Sequence, residues 1–336
     1  MGGPEDAPLW AGIVGQEQAT TLLRRALAGD RVAHAYAFVG PTGVGRRLTA
    51  RAFAQALLCA AGGCGECSAC RRVAADRHPD CRLVVPTPPR DNARGTPAIR
   101  IEDVRELEHW AALAPHEGPR KVFVLDDADR MTLPTAQALL KTLEEPPPRT
   151  VLILILVNPR ALPPTVLSRC QQVRFRPLGE EEIGRLLVDR GVDAATARRL
   201  AHRSRGQLGL ALATDLAVIE GKEAAALEIL QTPLARQAAR LDAAGLDRDR
   251  GAVALYLEAY WFWCRDALCL QAGVAPALLV HADREEELRA VAARVPPATL
   301  VRALASVKDA WLALDANVTP RLALERALLD LGRLAA

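Results

Sequence analysis

The sequence predicts an α/β domain with a parallel sheet, followed by an all-helical second half. Three observations lead there. Ala35–Val39, Val122–Leu125 and Val151–Val157 are short, uninterrupted apolar runs, and runs apolar on both faces suit parallel strands covered by helices on each side. They alternate with stretches of helical spacing at Arg46–Leu58 and Leu133–Leu143, the second stopped by Pro146-Pro147-Pro148, and such alternation implies right-handed crossovers. After about Pro177 the strand signal stops. Glu180–Arg190 and Ala194–Arg203 read as helices, and from about Leu216 onward Ala/Leu/Arg stretches keep helical periodicity between breaks at Pro233, Gly245, Pro276, Pro296-Pro297 and Pro320. Trp261, Trp263 and Leu268 read as core of that helical half. Thr87–Gly95, with two prolines and a glycine, reads as an exposed loop.

The 336 residues suit two or three domains, and half of them are hydrophobic, so real cores can form. With 25% charged residues the chain is not of disordered composition. No apolar run approaches the length of a membrane span. The start, Met1-Gly2-Gly3-Pro4-Glu5-Asp6, lacks a basic-then-apolar leader pattern, so a cytosolic location is expected. The net charge of +3 is too small for wholesale nucleic-acid binding. Only Lys121, Lys141, Lys222 and Lys308 interrupt a basic complement made otherwise of arginine, a bias that speaks of codon usage.

The strand Ala35–Val39 runs into Gly40-Pro41-Thr42-Gly43-Val44-Gly45-Arg46-Arg47 and then a helix. Strand, glycine-rich turn and helix N-terminus form a phosphate loop, whose backbone N–H groups and helix dipole favour an anion. The working pattern is Gly-x4-Gly-Lys-Ser/Thr. Gly40 and Gly45 keep the spacing, but Arg46 stands for the lysine and Arg47 for the magnesium-binding hydroxyl. Arginine supplies no oxygen for Mg²⁺, and a cation at that position repels it. Val122–Leu125 ends in Asp126-Asp127, where the first carboxylate stands at the metal-binding position and the second where a longer, water-orienting glutamate is usual. Asp129 reads as a charge at a helix start. The nucleotide site is therefore expected to be degenerate, with ATP binding by this chain disfavoured.

Eight cysteines are present, and Cys59-x4-Cys64-x2-Cys67-x2-Cys70 packs four into twelve residues. Four thiolates at this spacing suit one tetrahedral Zn²⁺ with no open position, hence a structural ion. The Cys-Pro signature of ferredoxin-type clusters is missing. Cys81 or His78 is the alternative ligand should Cys59 not serve. Gly62, Gly63 and Gly65 allow tight turning around the ion. Cys170 reads as a packed thiol.

Further motifs occur in order around these: Val14-Gly15-Gln16, His34-Ala35-Tyr36-Ala37-Phe38, Leu139-Leu140-Lys141-Thr142-Leu143-Glu144-Glu145-Pro146-Pro147 and Ser168-Arg169-Cys170. Together they resemble the clamp-loader subunits of bacterial DNA polymerase III, within the AAA+ ATPase superfamily, and among these the non-motor delta-prime branch more than the gamma/tau motors. The resemblance implies an AAA+ domain over 1–177 with the zinc module at 59–70 inserted, a helical lid over 178–218 and a helical collar over 219–336 that joins the other subunits. It assigns Asn158 to a polar sensor position and Gly209 to a second sensor position, where active relatives carry arginine. It also assigns Arg169 as a finger offered in trans to a neighbour's ATP, a role that guanidinium suits. The implied partners are gamma/tau and delta subunits, and, through the assembly, the sliding clamp and primed DNA in a bacterial cytoplasm. Two other readings compete: an active motor ATPase, and a zinc-bearing DNA-binding module.

Overall fold

The computed structural model of the protein describes residues 8–89, 95–213, 215–246, 249–316 and 318–335. The opening stretch Met1–Asp6 and part of the loop expected at Thr87–Gly95 lie outside the described residues. Among the described residues no helix is long and apolar enough to cross a membrane.

The most apolar run becomes the middle of the sheet. The strands are β1 (Ala35–Val39), β2 (Cys81–Val84), β3 (Lys121–Leu125), β4 (Thr150–Leu156) and β5 (Gln171–Arg174), in the order β2-β3-β4-β1-β5. Every pairing is parallel, with Phe38 opposite Ile155, Leu125 opposite Leu154 and Tyr36 opposite Gln171. All seven residues of β4 are buried. Val157, expected within this strand, is exposed beyond its end.

Alternate side chains of each strand enter different cores. On one face Tyr36, Phe38, Val124, Ile153 and Ile155 pack with Leu23 of α1 (Glu17–Ala28) and Phe53 of α2 (Arg46–Leu58). Tyr36 meets Phe53 edge-on at a ring separation of 5.1 Å. On the other face Ala37, Phe123, Leu125 and Leu154 pack with Leu107 of α4 (Ile101–Ala112) and Leu139 of α5 (Leu133–Glu144). Each such Leu, Ile or Phe withdrawn from water contributes roughly 1.5–3 kcal/mol. Between α2 and β2 lies the short α3 (Ser68–Ala74), and α6 (Pro164–Leu167) precedes β5. The helices α7 (Glu180–Val188), α8 (Ala194–Ser204) and α9 (Leu208–Ala213) come after the sheet.

The chain divides into two compact units, one closing at Leu212 and the other opening at Ala213. The second unit is all helix: α10 (Leu216–Gln231), α11 (Leu234–Ala243), α12 (Arg250–Gln271), α13 (Glu285–Arg294), α14 (Pro297–Asp315) and α15 (Pro320–Ala335). Its core gathers Tyr260 and Trp263 of α12 with Leu300, Val307, Leu324 and Leu331, while Trp261 and Leu268 lie partly buried against it. Inside, the His281 ring sits between two carboxylates, Nδ1 at 3.0 Å from Asp266 and Nε2 at 3.2 Å from Glu223. Burial alone would lower the imidazole pKa, but these two partners raise it.

One glycine fastens the helices after the sheet to the strand domain. Gly206 has φ +83°, and its carbonyl accepts from the Leu178 N–H at 2.9 Å. A Cβ there would lie 2.4 Å from Pro177 Cβ and 2.8 Å from the Leu178 carbonyl oxygen. Gly206→Ala is therefore expected to destabilise the first unit by roughly 1–3 kcal/mol. A lowered urea midpoint checks this, and an unchanged midpoint would contradict it.

Candidate functional site: phosphate loop, sheet edges and cysteine cluster

All strands run the same way, so the sheet has a carboxyl edge and an amino edge, and the candidate residues divide between them. The phosphate loop leaves the carboxyl end of β1. Gly40 N–H donates to the Leu156 carbonyl at 3.2 Å, and a Cβ at Gly40 would lie 2.6 Å from the Phe175 carbonyl oxygen. Gly43 and Gly45 have φ of +74° and +94°, and Gly45 is the residue from which α2 starts.

The two arginines that replace the usual lysine and hydroxyl behave differently. Arg46 is 6% exposed, and its Nη1 is buried without a hydrogen-bond partner. Burial lowers its pKa, while Asp129, Asp126 and Asp127 work in the opposite direction. Arg47 reaches outward, and its Nη1 lies 3.2 Å from Asp126 Oδ2. The cation expected to repel a metal ion thus forms an ion pair with the carboxylate that would have bound it. Burial pushes the Asp126 carboxyl above its ordinary range, with Arg47 opposing.

The remaining expected residues of this edge surround the loop. Asp127 is in the left-handed region at φ +48°. Asp129, expected as a helix-start charge alone, also accepts from the Asn158 backbone N–H at 3.2 Å, which ties the ends of β3 and β4 together. The Asn158 side chain accepts from Arg160 N–H at 3.1 Å. Gly209 lies directly on the loop: its N–H donates to the Gly43 carbonyl at 2.8 Å. A Cβ at Gly209 would come within 3.1 Å of Gly43 Cα. The sequence gives no sign of this close approach of α9, because residues 43 and 209 meet only through the fold.

At the amino edge stands Arg169, between α6 and β5. Its Nη2 lies 2.8 Å from Glu144 Oε1 at the end of α5, and its Nη1 donates to the Thr165 carbonyl at 2.9 Å. The side chain remains 36% exposed. In the sequence Glu144 is legible only as part of a motif; its pairing with Arg169 comes from the structure. Cys170 is buried, its Sγ donates to the Val166 carbonyl at 3.4 Å, and burial pushes the thiol up to about 12, so it is a packed thiol and not a nucleophile.

The four clustered cysteines converge. Their Sγ atoms all lie within 4.8 Å of one another, with Cys59 at 3.7 Å from both Cys64 and Cys67. A tetrahedron with metal–sulfur arms of about 2.3 Å has edges of about 3.8 Å, so the spacing fits one ion. Backbone N–H groups back the sulfurs, from Cys67 to Cys64 Sγ at 3.3 Å and from Cys70 to Cys67 Sγ at 3.4 Å. Burial raises the Cys59 thiol, but the N–H groups of Cys64, Gly63 and Ala61 outweigh it and bring the pKa to about 6, whereas burial with Cys67 and Cys59 nearby pushes the Cys70 thiol up; a metal takes both as thiolates. Gly63 has φ +107°, and a Cβ there would lie 2.4 Å from Leu9 Cδ1. Gln55 of α2 donates to the Cys70 carbonyl at 2.9 Å and anchors the module. The alternative ligands stand outside the cluster: burial pushes the Cys81 thiol to about 12, and His78 Nε2 lies 3.2 Å from Glu117.

The parallel sheet, the phosphate loop at β1 and the carboxylates at the end of β3 define an α/β domain of the P-loop type. A sequence profile described as "DNA polymerase III, delta subunit" matches residues 15–179, and one described as "DNA polymerase III, delta subunit, C terminal" matches 243–333. The chain belongs to this family of DNA polymerase III subunits. It is 44% identical over 144 residues to the DNA polymerase III subunit delta' of Pseudomonas aeruginosa, covering 42% of each chain. It is 34% identical over 223 residues to the tau subunit of Escherichia coli, covering 63% of this chain and 33% of that one. The aligned stretch thus spans less than half the length of either relative. Among solved structures, a gamma subunit-related protein of Thermotoga maritima overlaps 95% of this chain and 100% of its own, at 18% identity and a TM-score of 0.42.

The cysteine geometry predicts one thiophilic metal ion per chain. Cys67→Ser should lose the ion and lower the melting temperature, since metal binding by small four-ligand modules is worth roughly 10–16 kcal/mol and is coupled to their folding. Elemental analysis of the purified protein checks the stoichiometry, and metal-free protein with an unchanged melt would contradict it.

Proposed function

We propose that this chain is a non-motor subunit of a bacterial clamp loader. In this reading it holds the loader's geometry and supplies Arg169 in trans to ATP bound by a neighbouring gamma/tau-type ATPase subunit. A sliding clamp is then loaded on primed DNA. The observation that carries the reading is the position of Arg169. It lies half-open at the amino edge of the sheet, whereas the chain's own phosphate loop is at the carboxyl edge. Five strand residues at about 3.3 Å each, roughly 16 Å, lie between the two edges along β1. An arginine facing away from its own nucleotide loop, with several donors in a planar fork, suits a γ-phosphate on another subunit.

The carboxyl edge supports the non-motor half of the reading. With Arg47 at the place of the usual hydroxyl and paired to Asp126, Mg²⁺ loses the hydroxyl of that position and meets an Asp126 carboxylate already engaged. With Gly209 bonded to Gly43, the second sensor position offers backbone and no cation. The chain is then no enzyme by itself. The four cysteines hold a structural Zn²⁺, because four sulfur ligands complete the tetrahedron and leave no position for water or substrate. The domain reading takes an AAA+ domain over 1–177, a helical lid over 178–218 and a helical collar over 219–336, through which the delta and gamma/tau subunits join; since the second compact unit opens at Ala213 and α10 begins at Leu216, the whole of α10 goes with the collar.

Arg169→Ala should leave the subunit folded and able to assemble. In a reconstituted loader it should reduce ATP turnover at the adjacent site by about 10³-fold, equivalent to about 4 kcal/mol of transition-state stabilisation. Arg169→Lys should not restore full turnover, because the ammonium lacks the planar fork. Unchanged turnover in an intact complex would refute the finger assignment. A second outcome concerns the chain's own loop: Arg46→Lys with Arg47→Thr should produce no ATP turnover, since Gly209 and Asp127 stay as they are. Magnesium-dependent hydrolysis by that double variant would show that two arginines alone silence the site.

A further inference from the structure

We infer that Glu144 is a positioning residue for Arg169, one that sets the direction of its guanidinium before a neighbour's nucleotide arrives. The inference rests on the trans role proposed above and deepens it. Three observations support it. The Arg169 guanidinium is held at two points from two different elements, Glu144 Oε1 on α5 and the Thr165 carbonyl on α6. Both contacts involve the terminal nitrogens: Nη1 donates a hydrogen bond to Thr165, and Nη2 is ion-paired with Glu144, which leaves most of the five N–H donors of the fork free. The side chain nevertheless stays 36% exposed, so the pair is not a buried structural bridge.

A free arginine at a surface carries about 2 kcal/mol of rotamer entropy. Holding it at two points removes much of that freedom before the reaction, so donors not engaged by Glu144 and Thr165 are already aimed when γ-phosphate charge develops. The anchors are themselves fixed. Glu144 closes α5, whose Leu139 and Leu143 are buried under the sheet. Thr165 belongs to α6, whose Val166 is fully buried. Leu143 seats the helix end, the prolines beyond stop it, and Glu144 is delivered to the arginine.

The test is steady-state ATP hydrolysis by the fully reconstituted loader, carrying this chain as wild type, Glu144→Ala, Glu144→Gln, Arg169→Ala, or Glu144→Ala with Arg169→Ala. Glu144→Ala should lower turnover at the adjacent site about 5-fold, the scale of one exposed ion pair, with KM for ATP unchanged. Glu144→Gln keeps a polar oxygen but loses the charge, and should fall between Glu144→Ala and wild type. In the Arg169→Ala background, Glu144→Ala should cost nothing further, because there is no guanidinium left to aim. Several results would overturn the inference: an equal loss from Glu144→Ala in both backgrounds, a loss of assembly shared by Glu144→Ala and Glu144→Gln, or a rise in turnover on removing Glu144. The two readings separate cleanly. If Arg169→Ala reduces turnover and Glu144→Ala does not, only the positioning role falls; if Arg169→Ala itself has no effect, the trans finger falls and the positioning role with it.

Discussion

The constraint on which the rest depends is that every strand pairing in the sheet is parallel. A parallel sheet gathers the residues that enter its strands at one edge and the residues that leave them at the other. The phosphate loop, Asp126 and Asn158 all leave strands and share the carboxyl edge. Glu144 and Arg169 precede β4 and β5 and share the amino edge. The burial of β4 on both faces fixes this arrangement, since shifting its register by one residue would exchange the two cores. A chain built this way can present an arginine outward without involving its own nucleotide loop.

At the carboxyl edge one ion pair governs the chemistry. Arg47 and Asp126 are only partly exposed on the Asp126 side, at 16%. Breaking such a pair by removing one partner leaves the other uncompensated, which costs more than the pair contributes. The Asp126 carboxylate is thus paired with Arg47. The Gly209–Gly43 hydrogen bond adds a second contact, because it brings the start of α9 against the loop backbone. Arg46 stands apart, buried under the loop with Asp126, Asp127 and Asp129 as its charge environment. The loop retains the positive-φ conformations of Gly43 and Gly45, while Arg47 pairs with Asp126 and Gly209 bonds to Gly43 beside it.

Much of this is legible in the sequence, for a physical reason in each case. β1, β3 and β4 are continuous apolar runs because both of their faces are covered. β2 and β5 leave no such signal: Cys81–Val84 is half-buried throughout, and in Gln171–Arg174 only Val173 is buried, so neither edge strand carries a strong pattern. The cysteine quartet is legible from spacing alone, since metal geometry is nearly local. The phosphate-loop substitutions are legible as residue types, but not their outcome. That Arg47 pairs with Asp126, that Gly209 touches Gly43 and that Glu144 holds Arg169 each join positions far apart in the chain. Periodicity and motif spacing carry no record of such contacts. Only the packing of the elements produces them.

The central claim is that this chain lends an arginine and takes no magnesium nucleotide of its own. Equilibrium binding of ATP to the purified, metal-replete chain, measured with and without Mg²⁺, tests the second half most directly. The account predicts no saturable magnesium-dependent binding up to about 1 mM, a concentration at which even a weak site of about −4 kcal/mol would be half filled. Saturable binding that tightens on adding Mg²⁺ would mean that the ion displaces Arg47 from Asp126, and would contradict the account.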